Sequence, residues 1–125
     1  MDKKNCIWFL STLEGYHSQL KMLHWSTTNY HEHKLCDDIN EAILDYQDRF
    51  AEATMGHLHT RFNVGEVKSL LPESTQLQAL LKELESDVLK MKEYTESDNK
   101  TDGIMNILDD ILESVNSWDY LATLK

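Results

Sequence analysis

The residues of this chain whose types and spacing suit chemistry are His33, Asp37, Asp48 and Glu52. Their separations of four, eleven and four make two i, i+4 pairs, and such a pair sets two side chains next to each other on a helix. Imidazole with carboxylate is a ligand set for iron or another first-row metal, zinc included. At about 100° per residue, His33, Asp37, Glu41, Leu44, Asp48, Ala51, Glu52 and Met55 share one side of a helix. Leu35, Ile39, Ile43, Tyr46, Phe50 and Ala53 form a core stripe on the roughly opposite side. A second face that mixes carboxylates and a histidine with apolar side chains is expected where polar groups are partly buried for a purpose. The plainer reading, a water-facing acidic helix, suits a chain this acidic.

One chain alone does not bring the two pairs together. His33 and Asp48 lie 15 positions apart, roughly 22 Å along a helix. A second copy of the helix, packed antiparallel, would. The set is symmetric about a point between Ala42 and Ile43: His33 mirrors Glu52, Asp37 mirrors Asp48, and Glu41 mirrors Leu44. A two-fold axis there gives an isologous homodimer with two identical sites, each built from both chains.

Four helical segments position these residues. The first runs from about Lys4 to Trp25, with Ile7, Leu10, Leu13, Tyr16 or His17, Leu20, and Leu23 or His24 along one face. Asn29, three positions before Glu32, caps a second helix that continues to about His59. A third begins after Pro72 with the stripe Leu77, Leu80 or Leu81, Leu84, Val88 and Met91, and ends in the tract Glu96 to Lys100. Thr101 or Asp102 caps a fourth, carrying Ile104, Leu108, Ile111, Val115, Trp118 and Leu121 or Ala122. The expected architecture is all-α, a single four-helix bundle over residues 1–125. The link from about Arg61 to Pro72 is longer than a hairpin needs. Twelve extended residues reach roughly 40 Å, so the link can traverse the bundle in the ferritin-like way, and an up-down-up-down bundle stays open beside it.

Composition narrows the rest. One proline and four glycines in 125 residues are too few for the turns of a sheet protein. Twelve basic against 22 acidic residues give a net charge of −10, which repels phosphate backbones and disfavours DNA binding. No apolar run approaches the roughly 18–20 residues that cross a bilayer, and the opening Met1-Asp2-Lys3-Lys4-Asn5 does not read as a secretory signal. Cys6 and Cys36 read as buried reduced thiols, in keeping with a cytoplasmic chain. No glycine-rich phosphate loop, nucleophile elbow or zinc-finger spacing is present.

His24-Trp25, then His33, Asp37 and Asp48-Arg-Phe-Ala-Glu52 followed by Gly56, resemble the motif of the Dps-like branch of the ferritin-like superfamily. The likeness covers about residues 16–56; helices three and four match only in helical pattern. It implies that His24, His33 and Asp37 of one chain and Asp48 and Glu52 of its two-fold mate bind ferrous iron, with Trp25 the neighbouring aromatic. His33, Asp37, Asp48 and Glu52 would carry the ferroxidase chemistry, and assembly would reach a homo-oligomer, up to a dodecamer. Short proteins of this kind occur in bacteriophages and large DNA viruses, which sets the expected location in the cytoplasm of a bacterial or virus-infected cell. The chain departs from the pattern in three ways: the segment from Ser26 to Glu32 is short, Ala53 stands where an arginine is usual, and no basic tail is present. The short segment leaves His31 competing with His24 as the extra ligand.

From Thr60 to Lys125 there is no histidine. A di-iron centre inside one bundle, with Glu-x-x-His on two helices, is thereby excluded. His17 reads as a structural histidine or as a partner orienting a ligand, and His57 and His59 suit the negative end of a helix dipole. The functional expectation is an oligomeric iron-binding protein that oxidises ferrous iron for storage or detoxification. The other is a non-enzymatic bundle that binds a protein partner and has lost the metal site.

Overall fold

The computed structural model describes residues 1–124. It contains four helices: α1 (Lys3–Ser26), α2 (Tyr30–Leu58), α3 (Leu77–Glu96) and α4 (Asp102–Ala122). Local chemistry sets the helix starts. Asp2 and Asn5 form a reciprocal capping box at the head of α1, with distances of 2.9 and 2.8 Å. The Asn29 side chain accepts from the Glu32 N–H at 3.0 Å, as the spacing predicts. Thr101 occupies the N-cap position of α4 without a side-chain capping bond.

The apolar stripes meet in one core. Leu13, Leu20, Ile39, Ile43, Leu80, Leu84, Val88, Leu108 and Ile111 are buried, and Phe9 meets Phe50 edge to face at 4.8 Å. Of the alternatives on α1, Tyr16 enters the core and His17 stays at its margin. Cys6 and Cys36 are free thiols in this core. Burial pushes them up to about 11 and about 12 respectively, away from the range where a thiolate reacts.

Contacts between helices give the chain direction of each. Residues 24, 17 and 10 of α1 meet residues 33, 40 and 47 of α2, so these two run antiparallel. Tyr16 bonds Asp87 and Trp8 packs on Tyr94, so α3 also runs against α1. Helix α4 runs against α2, since His31 pairs with Leu121, Tyr46 with Ser114 and Arg49 with Asp110. Helices α2 and α3 therefore point the same way, and the link between them traverses the whole bundle.

This link spans residues 59–76, longer than the expected stretch because α3 starts at Leu77 rather than directly after Pro72. It climbs alongside α1. Lys3 pairs with Glu66, the Lys68 and Leu70 N–H groups donate to Ser11, and Gln19 donates to the Ser74 carbonyl. Gly15 makes the close approach feasible: a Cβ there would stand 1.6 Å from the Leu70 oxygen. Among the described residues, no helix is long and apolar enough to cross a membrane.

Candidate metal centre

Helices α1 and α2 position every histidine and carboxylate that the spacing singles out. The three-residue turn Thr27 to Asn29 folds the end of α1 back on the start of α2, which brings His24 beside His33. Their rings stack with centroids 3.8 Å apart. Each Nδ1 lies 2.7 Å from the other residue's backbone oxygen, His24 to His33 and His33 to His24. A carbonyl only accepts, so both Nδ1 atoms carry the proton, and in the neutral rings both Nε2 atoms keep a lone pair. Metal-binding histidines are ordinarily held this way, by an N–H given to a carbonyl on the far side of the ring. Both Nε2 atoms are thereby left open to a ligand.

His31 takes another direction. Its Nε2 donates to the Leu121 carbonyl at 2.8 Å and ties α2 to the end of α4. Between the two candidates for the extra ligand, the one beside His33 is His24. His17 bonds Asn40 at 2.6 Å through Nδ1; it fastens α1 to α2 and does not reach the His24–His33 pair by any hydrogen bond. His59 closes α2 in a left-handed conformation, φ 51°, and stands with Glu52, Met55 and Gly56 around an open hollow.

The carboxylates sit along the outer side of α2. Asp37, Glu41, Asp48 and Glu52 are exposed and His33 and His24 are half-buried. The partial burial expected of the acidic members is therefore absent from the single chain, because no other helix of the bundle covers this side. Among the described residues, none of the four takes part in an ion pair or a side-chain hydrogen bond. No group of three or more histidine, cysteine or carboxylate side chains within the described chain is arranged to hold a metal. His33/Asp37 and Asp48/Glu52 remain two separate half-sets on one helix.

Tyr30 escaped sequence reasoning. It opens α2, is 71% exposed, and lays its ring against His33 at a centroid distance of 6.3 Å and an angle of 22°. Tyr30, His33 and His24 thus form one short stack. Two signals were present in the sequence: Tyr30 lies three positions before His33, one turn along the same face, and it mirrors Met55 about the Ala42/Ile43 midpoint. Trp25, named beforehand as the neighbouring aromatic, is 68% exposed with the Lys21 ammonium over its ring at 5.8 Å.

A family model described as a family of unknown function, DUF5856, matches residues 24–121. The chain belongs to that family. The matched span takes in the turn after α1, all of α2, the crossover and α3, and most of α4, and it contains all five candidate ligands of this DUF5856 chain. No curated protein matches the chain. No solved structure matches it either.

Proposed function

We propose that this DUF5856 protein is a homo-oligomeric metal-binding protein of ferritin-like, Dps-like type, which takes up ferrous iron between two-fold-related chains and oxidises it. The observation that carries this reading is the pair His24 and His33, each giving its Nδ1–H to a carbonyl and so keeping Nε2 available. Two further features support it. The one-crossover topology is the connectivity of ferritin-like bundles. The outer side of α2 carries four carboxylates for which the described chain supplies no cation.

In this reading His24, His33 and Asp37 of one chain and Asp48 and Glu52 of the other hold the ion, which is substrate as well as ligand. Carboxylates favour the higher charge of ferric iron. Each ferrous ion gives up one electron; hydrogen peroxide accepts two electrons and two protons and leaves as two waters, and dioxygen is the other oxidant class. The biological outcome would be iron storage or detoxification, and zinc or another divalent ion would bind to the same donors.

Anaerobic loading with ferrous iron followed by native mass spectrometry tests the proposal. An even-numbered oligomer with metal is expected, and peroxide should then oxidise the bound iron faster than iron in buffer. The Asp48→Ala/Glu52→Ala variant should lose both properties; equal activity in the two proteins would end the proposal. The second reading, a non-enzymatic bundle for a basic protein partner, draws on the same exposed carboxylates. A metal-free monomer under iron loading would favour it.

A further inference from the structure

The outer side of α2 carries more than ligands. Its members are Tyr30, His33, Asp37, Glu41, Leu44, Asp48, Ala51, Glu52 and Met55, and all of them except Ala51 pair with one another about the Ala42/Ile43 midpoint. Tyr30 mirrors Met55, so the symmetry of the polar ligands extends to an apolar pair at each end. At one end Tyr30 and Trp25 project as aromatic knobs, 71% and 68% exposed. Towards the other end lies a groove of about 380 Å³ between α2 and the crossover, lined mainly by Leu44, Ala51, Met55, Phe62 and Val67. Knob and groove sit on one face, on opposite sides of the same midpoint. That is the condition for a surface to be complementary to itself under a two-fold rotation.

We infer that the occupant of this groove is Tyr30, with Trp25 beside it, of a second copy of the chain, and that this apolar contact assembles the dimer before any metal binds. The proposal rests on the antiparallel register invoked for the metal sites and deepens it by assigning the seam its anchors. The carboxylates do not act as the glue: in that register Asp37 faces Asp48 of the mate, and like charges oppose contact. Aromatic side chains are the common anchors of protein interfaces because they bury a large area at low cost in side-chain freedom. The ring stack adds a consequence. Tyr30 lies against His33, so seating the tyrosine holds the histidine pair beside the mate's Glu52, one turn from Met55. Metal then relieves the carboxylate repulsion and tightens a seam that already exists.

The test is sedimentation of the full chain in excess EDTA, with circular dichroism to confirm helix content. The parent is expected to be a dimer. Tyr30→Lys and Met55→Glu should each weaken the dimer at least tenfold, and the double variant Y30K/M55E should recover most of the loss, since an isologous seam pairs the two new charges twice. Single variants that dimerise like the parent, or a double variant no better than either single one, would overturn the assignment. A parent that is monomeric in EDTA but dimerises with ferrous iron or zinc would overturn it too, while leaving the shared metal site standing. A dimer in EDTA that never takes up metal would sink the metal reading and leave this one.

Discussion

The two hairpins of this bundle treat their charges differently. In α3–α4 many carboxylates are partnered inside the chain: Asp87 with Tyr16 at 2.6 Å, Asp109 with Lys92 at 2.8 Å, Asp110 with Arg49 at 3.3 Å, and Glu83 with Ser74. These groups close contacts between helices or fasten the crossover. In α1–α2, His17, His24, His31 and His33 are each partnered through one ring nitrogen, while Asp37, Glu41, Asp48 and Glu52 are left without an ion pair among the described residues. Charge alone does not mark out a carboxylate in so acidic a chain, and Glu85, Glu93, Glu113 and Asp119 of α3–α4 also lack an ion pair among the described residues. What distinguishes the α2 set is that its four unpaired carboxylates share one helix face with His33.

The contrast can be broken at four points. The largest effect is expected where the crossover holds both hairpins in register. Gly15→Ala drives a Cβ into the Leu70 carbonyl, which is backbone and does not swing aside; a loss of about 3 kcal/mol or more is expected by thermal or denaturant unfolding. An unchanged midpoint would mean that the crossover is not pressed against α1.

Next comes the half-buried polar contact between Tyr16 and Asp87. Burial holds the Asp87 carboxyl above its ordinary range; the Tyr16 hydroxyl pulls it back, the charge of Glu83 adds to the rise, and Lys90 opposes it. Tyr16→Phe removes the donor and should cost about 2 kcal/mol at neutral pH. The sign for pH follows from proton uptake. With the folded value raised, the native state binds more protons than the unfolded one between the ordinary carboxylate value and the raised one. Asp87 therefore favours folding below that window, and this contribution is lost as pH rises through it. Asp87→Asn should flatten that slope in acid unfolding curves.

The third point compares the hairpins directly. Asp37→Asn should weaken zinc binding at least tenfold by titration calorimetry, about 1.4 kcal/mol, whereas Asp109→Asn on α4 should leave it within about twofold. If both variants bind alike, the difference between the hairpins has no functional meaning. The smallest effect belongs to the cap. Asn29→Ala removes the acceptor for the Glu32 N–H and should cost about 1 kcal/mol by thermal unfolding, with loosening confined to the turn that holds His24 against His33.

Much of this was legible in the residues because it is local. Apolar spacing reports which side of a helix is dry, so the stripes Leu35-Ile39-Ile43-Phe50 and Leu80-Leu84-Val88-Met91 mark the core correctly. Asn29 marks a helix start through a contact three residues long. Other features depend on partners far along the chain. Nothing near His31 announces that it turns to Leu121, and nothing near Gly15 announces Leu70.

The sequence by itself determined four helices, their dry faces and a symmetric set of polar side chains on α2, since periodicity and capping need only neighbours within a turn or two. The tertiary structure alone decided that the link traverses the bundle, that His24 rather than His31 joins His33, and that the carboxylates of α2 lie uncovered. Each of these turns on which distant segments occupy the same space, and that is settled by packing rather than by spacing.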